Sequence, residues 1–256
     1  MNEPFQTQAD GLVGTTAIVT GAGRGFGRAI AMALSAAGAD VIGVARTRAQ
    51  LDEVGDHIGD RFTAVVADAA DAATAGRLLD DYRPRTLVLC AGAAPQMRPL
   101  QDQTWEGFSR NWNVDVAQAF HWTGHALRQP LVPGSSVIAI SSGAAVNGSP
   151  LSGGYAGAKA TVRFITGYAT VESQRAGLGI KFVSVLPRLT PATDLGGKAV
   201  AAYAERQGVD VDTFVQSSGP ALSAEQVGKS VLEIATGRSG AHDAYLLTSA
   251  GLSPLA

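Results

Sequence analysis

Eight residues near the start of the chain constrain its fold more than any others: Thr20-Gly21-Ala22-Gly23-Arg24-Gly25-Phe26-Gly27. They lie between an apolar run, Thr16-Ala17-Ile18-Val19, and a helix-like run from Arg28 to Leu34. A strand that passes through a glycine turn into a helix aims several backbone N–H groups, and the positive end of the helix dipole, at one spot. That arrangement suits a diphosphate. Glycine is needed because a side chain would block the ligand's approach and because some turn positions require positive φ. For the loop taken alone, a tight turn with no ligand remains the alternative.

The rest of the chain repeats the alternation that this loop begins. Apolar, mostly β-branched runs at Thr15–Thr20, Asp40–Ala45, Arg61–Val66, Thr86–Cys90, Ser136–Ser141, Ile180–Leu186 and Ala244–Thr248 are separated by helix-period segments. The pattern predicts an α/β fold, a doubly wound Rossmann-type sheet of about seven parallel strands flanked by helices, in a single domain over 1–256. With 46% hydrophobic residues and a formal net charge of −2, the chain reads as an ordinary globular protein and not as a disordered or nucleic-acid-binding one. Cys90 is the only cysteine, which excludes an internal disulfide and a cysteine-based metal site. The leader Met1–Gln6 has neither the basic start nor the apolar core of a secretory signal, so the expected location is the reducing cytoplasm, with no membrane association.

In a doubly wound sheet, ligands bind beyond the carboxyl ends of the strands. After the fifth predicted strand come Ser141-Ser142-Gly143, and 13 residues beyond Ser142 stands Tyr155-Ala156-Gly157-Ala158-Lys159. Tyr155 and Lys159, four apart, share one face of a helix. The glycine loop fits T-G-x-x-x-G-x-G, not G-x-G-x-x-G, because Phe26 occupies the last glycine position of the latter. That loop, the serine, and the Y-x-x-x-K pair at this spacing together resemble the short-chain dehydrogenase/reductase family.

The resemblance implies a nicotinamide cofactor held by Gly21, Gly23, Arg24, Gly25, Phe26 and Gly27, and a carbonyl–alcohol interconversion. Ser142 would hold the carbonyl oxygen, Tyr155 would be the general acid/base, and Lys159 would grip the nicotinamide ribose while easing the proton off the phenol. A cation about 4 Å from a phenolate stabilises it by roughly 4 kcal/mol at an effective dielectric of 20, enough to matter near neutral pH. Where NAD-dependent members carry an acid after the second strand, this chain has Ala45-Arg46-Thr47-Arg48. Arg46, with Arg24, therefore favours NADP(H) over NAD(H); the alternative is that Arg46 and Arg48 are solvated loop residues. Asp68 falls near the adenine by resemblance, or else caps a helix. Ala91 and Gly92 keep the small residues of the family's Asn-Ala-Gly turn, with Cys90 in place of asparagine and read as a buried small hydrophobe.

Three further positions depart from the family pattern. Asp115 aligns with an asparagine of the proton relay; it either faces the site and competes with Tyr155 for Lys159, or faces away. Asn113, two residues earlier, would replace it only if the helix were shifted or bulged. After the sixth strand, Pro187-Arg188-Leu189-Thr190 has arginine where the family often has glycine; Pro187 and Thr190 are the cofactor candidates, with Thr193 a further threonine nearby. Residues 190–219 are long enough for a lid over the substrate, or equally a fixed surface hairpin. The expected activity is an NADP(H)-dependent oxidoreductase acting on a small carbonyl or alcohol, with an apolar pocket from residues such as Ala93, Met97, Val146 and Leu189. NAD-dependent alcohol oxidation and a cofactor-binding protein with little turnover are the alternatives. The family's assembly implies a homotetramer, or a dimer.

Overall fold

The computed structural model describes residues 11–255. The leader Met1–Gln6 and Ala256 lie outside the described residues. The first half of the chain gives β1 (Thr16–Thr20), α1 (Gly25–Ala36), β2 (Asp40–Ala45), α2 (Arg48–Ile58), β3 (Phe62–Val66), α3 (Ala72–Tyr82), β4 (Thr86–Leu89), α4 (Trp105–Asn111) and α5 (Ala117–Arg128). The second half gives β5 (Ser136–Ile140), α6 (Ala144–Asn147), α7 (Gly153–Arg175), β6 (Lys181–Pro187), α8 (Asp194–Gln207), α9 (Val211–Ser217), α10 (Ala224–Ala235), β7 (Ala244–Thr248) and β8 (Gly251–Pro254).

Among the described residues, eight strands form one sheet in the order β3-β2-β1-β4-β5-β6-β7-β8, parallel except for β8. Because side chains alternate across a strand, the central strands feed two cores. Ala17, Val19, Ile138 and Ile140 face Ile30, Leu34, Val227 and Val231 of α1 and α10. Ile18, Val137 and Ala139 face Leu78, Trp122 and Val162 of α3, α5 and α7.

The eighth strand is a departure from the expected sheet. Residues 251–254 carry no β-branched alternation, and their strand conformation comes from pairing: Thr248 with Gly251, Leu247 with Leu252 and Tyr245 with Pro254, across a turn at Ser249-Ala250. Gly251 has φ +106°, a conformation open to glycine, and Pro254 ends an edge strand where no donor is needed. The segment after Thr193 is two helices, α8 and α9, with Tyr203 stacked on Phe214 at 6.4 Å and a small core of Val200, Ala204 and Phe214.

Candidate active site

The strand order reverses between β1 and β4, and the loops after these strands meet at that crevice. Gly21 has φ +69°, and a Cβ there would lie 2.8 Å from the Ala91 Cα; a Cβ on Gly27 would collide with the Gly21 carbonyl. The loop therefore closes only with glycine at both positions. Side chains of Asp71, Thr104, Thr193, Asp210 and Ser223 cap α3, α4, α8, α9 and α10. Helix α1 has no side-chain cap and no acid in its first turn, so its leading N–H groups are available to an anion. These features fit a diphosphate-bearing cofactor.

The turn after β4 is braced by a network that sequence reasoning missed. Thr20 Oγ1 accepts from the N–H of Cys90 (2.9 Å) and of Ala91 (3.2 Å) and donates to Gln118 Oε1 (2.5 Å), whose Nε2 donates to the Ala91 carbonyl (3.0 Å). Nothing local marks Thr20 and Gln118, 98 residues apart, as partners. Desolvation pushes the Cys90 thiol up to about 11 despite the nearby Lys159 charge, so it stays protonated at neutral pH.

The turn after β5 is sewn to α7: Ser141 Oγ donates to the Lys159 carbonyl at 2.7 Å, and Lys159 Nζ donates to the Ile140 carbonyl at 3.0 Å. Ser142 stands beside this seam, its Oγ accepting from the Ala144 N–H at 3.2 Å. Lys159 Nζ lies 5.7 Å from the centroid of the half-buried Tyr155 ring. The same ammonium is 2.9 Å from Asp115 Oδ1, with only 8% and 1% of the two side chains exposed. Oδ1 is held by that charge without a well-angled hydrogen bond, while Oδ2 accepts from the Ala93 N–H (2.9 Å) and from Asn111 Nδ2 (3.2 Å). Burial alone would lower the affinity of Lys159 for its proton; the charge of Asp115, aided by Tyr155, more than offsets this and holds its pKa above the ordinary lysine value.

Asp115 therefore faces Lys159. The helix is bulged here, with a π-turn at Trp112–Val116, yet Asn113 remains exposed. The buried amide is Asn111, which sequence reasoning passed over; its Nδ2 also donates to the Ala93 carbonyl at 2.7 Å. Its only sequence signal was its place four residues before Asp115. Gly92 permits the carboxylate's approach, since a Cβ there would lie 2.8 Å from Oδ1.

The short chain dehydrogenase family model matches residues 15–204. The chain belongs to that family. L-xylulose reductase of Mesocricetus auratus is 38% identical over 106 residues, 41% of this chain and 43% of that protein. Carbonyl reductase (NADPH) 2 of Sus scrofa is 34% identical over 127 residues, 48% of this chain and 52% of that protein. The chain thus aligns with about half the length of these curated relatives. Solved structures share the fold: NAD+-bound xylitol dehydrogenase superposes with a TM-score of 0.81 at 18% identity, covering 93% of this chain and 99% of that one. A short-chain dehydrogenase/reductase from Brucella melitensis gives 0.79 at 20% identity, covering 93% and 96%.

The remaining candidates of this short chain dehydrogenase divide by what already holds them. Arg24 pairs with Asp194 at 3.0 Å and Arg48 with Asp52 at 2.8 Å. Arg46 is exposed and has no hydrogen bond or ion pair among the described residues. Asp68 does not cap a helix: it accepts from the Ala70 N–H at 2.9 Å, and the cap of α3 is Asp71. Phe26, in the first turn of α1, packs against the core. Pro187 is buried, its carbonyl accepting from Gly143 N–H at 2.9 Å. Thr190 is buried with its hydroxyl donated to the Leu222 carbonyl at 2.5 Å, and Thr193 is spent on capping α8. Among the described residues, no helix is long and apolar enough to cross a membrane.

Proposed function

We propose that this short chain dehydrogenase is an NADP(H)-dependent oxidoreductase that interconverts a ketone or aldehyde and an alcohol, with Tyr155 as general acid/base. The observation that carries this reading is the Lys159 ammonium, buried and 5.7 Å from the Tyr155 ring, beside the Ser142 turn and the crevice that the glycine loop shares with Ala91 and Gly92. The cofactor supplies a hydride equivalent when bound. Gly21, Gly23, Gly25 and Gly27 leave room for its diphosphate at the uncapped end of α1, and Arg46 is free to take a 2′-phosphate. Ser142 holds the substrate oxygen, Tyr155 gives it a proton in the reducing direction, and Lys159 orients the ribose and keeps positive charge beside the phenol. The carbonyl reductase (NADPH) 2 relative supports the choice of NADP(H). A panel of carbonyls, with NADPH consumption followed spectroscopically, tests the reading; tight NADPH binding without reduction of any of them would favour the binding-only alternative.

Free Arg46 gives a direct cofactor prediction. NADPH at about 100 times its Kd stabilises by about 2.7 kcal/mol, a Tm shift of roughly 5–11 °C in a chain this long. NADH at the same concentration should shift it less, and Arg46→Ala should bring the two together. Equal shifts in the wild type, unaltered by Arg46→Ala, would sink the assignment.

For assembly, we take a homotetramer as the reading, with a dimer as alternative. Its support is the row of exposed apolar side chains on α4, α5 and α7: Trp105, Phe120, Phe164, Tyr168 and Val171. Multi-angle light scattering at micromolar concentration checks it, and a monomer mass would overturn it.

A further inference from the structure

Asn111, Asp115 and Gln118 follow one another at about a turn's spacing along the helical stretch that carries the π-turn, and all three are buried and reach the turn after β4. Two of them hold one residue of that turn from both sides. Asn111 Nδ2 donates to the Ala93 carbonyl (2.7 Å), and Asp115 Oδ2 accepts from the Ala93 N–H (2.9 Å). Asn111 Nδ2 also donates to the same Oδ2 (3.2 Å), so that oxygen has two donors, while Oδ1 has no well-angled donor among the described residues and lies 2.9 Å from Lys159 Nζ. The carboxylate is thus divided, one oxygen for the turn and one for the ammonium. Asn111 cannot shift far, because α4 is seated on the start of α7: a Cβ on Gly154, next to Tyr155, would collide with the Phe108 carbonyl.

A donor on one oxygen of a carboxylate offsets part of its charge and fixes the plane of the group. Removing the Asn111 amide therefore has two effects of one sign. The potential at Lys159 becomes more negative, and Oδ2, left with the Ala93 N–H alone, gains freedom to turn toward Nζ. Both draw the ammonium's influence away from Tyr155, whose ring centroid is 5.7 Å from Nζ. The titratable groups that act on Lys159 are Asp115 from the neighbouring helix, Tyr155 on its own helix and Cys90 on the turn after β4. The thiol is protonated at neutral pH and β5 presents only the neutral Ile140 carbonyl, so the carboxylate is the competing charge among the described residues. We infer that Asn111 is a positioning residue: by holding one oxygen of Asp115 against Ala93, it limits the carboxylate's grip on Lys159 and leaves more of the ammonium's charge to Tyr155. Its bearing on the reaction rests on the carbonyl-interconversion reading. Gln118 is the natural comparison, since its amide holds the Ala91 carbonyl of the same turn (3.0 Å) but makes no hydrogen bond to Asp115 or Lys159.

Ionisation of Tyr155 can be read without turnover, as the ultraviolet difference across pH between each full-length protein and its Tyr155→Phe counterpart. Asn111→Leu should raise the Tyr155 midpoint by about half a pH unit or more, opposite in sign to Asp115→Asn. It should add no shift in the Asp115→Asn background, where no carboxylate is left to divide. Gln118→Leu should leave the midpoint in place even where it lowers Tm. Should Asn111→Leu not fold, Asn111→Ala carries the same expectation. An unmoved or lowered midpoint, an equal shift from Gln118→Leu, or an equal shift with and without Asp115 overturns the inference and leaves Asn111 a structural residue. The pH profile of kcat/KM for carbonyl reduction then joins the device to the reaction, and its limb should move with the midpoint in each variant. A profile that stays in place while the midpoint moves overturns the role in the reaction. Midpoints that shift as expected in a chain that reduces no carbonyl overturn the activity reading and support the action of Asn111 on Lys159.

Discussion

Replacing Tyr155 by phenylalanine should lower the rate of carbonyl reduction by about 10²- to 10⁴-fold while leaving folding and NADPH binding nearly intact. The loss is the general-acid contribution, about 3 to 5 kcal/mol of barrier. The ring itself is half-buried and its hydroxyl makes no hydrogen bond among the described residues, so removing the oxygen breaks no structural contact. Steady-state kinetics beside a thermal scan with NADPH checks both halves. A phenylalanine variant that keeps its rate within threefold would place the proton donor elsewhere, and one that fails to bind NADPH would give the tyrosine a different job.

The replacement Lys159→Met should be costly in another way, through the folded state. It leaves Asp115, with 1% of its side chain exposed, as a buried charge without its partner. Breaking a buried pair from one side typically costs 3–5 kcal/mol, here roughly 6–20 °C in Tm. Adding Asp115→Asn removes the stranded charge, and most of the lost stability should return without any return of activity. Asp115→Asn alone tests the carboxylate's claim on the ammonium: freeing Lys159 to act on Tyr155 should move the pH–rate profile to lower pH. Loss of the same stability in the single and double variants would mean that the ion pair contributes little, and an unmoved profile would make Asp115 structural only. The same pair shapes the alkaline limb of the stability curve. Because the native Lys159 pKa lies above the ordinary value, its stabilisation is complete below the unfolded lysine pKa of about 10.4 and is lost as pH rises through the native one.

Much of this molecule is local, and local features were legible. Periodicity located the seven parallel strands, because the central ones are buried on both faces and must be apolar along their length, and the edge strand β3, though partly exposed, keeps the same apolar run. Spacing placed Tyr155 and Lys159 on one helical face, because that relation depends only on the helix's own geometry. The glycine loop was legible because steric limits act on the residues themselves: positive φ at Gly21 and the close approach at Gly27 leave no alternative residue.

What the chain's order could not reveal depends on neighbours brought from a distance. Residues 251–254 are a strand only because β7 offers them its free edge. The direction of Asp115 was open in the sequence, since a π-turn inside the helix rotates the residues after it relative to the core, and it is that packing which sets the carboxylate on Lys159. Thr190 reads like a residue that could reach a ligand, yet its hydroxyl is drawn to Leu222, 32 residues away. The Thr20–Gln118 brace joins two elements that meet only when β1 and β4 lie side by side. The sequence by itself determined the order of strands and helices, the glycine turn and the placing of Tyr155 and Lys159 on one helical face, because backbone sterics and helical period act over a few residues. Tertiary structure alone decided which charges pair and which hydroxyls are spent, because hydrogen bonds and ion pairs depend on distances that only the folded chain sets.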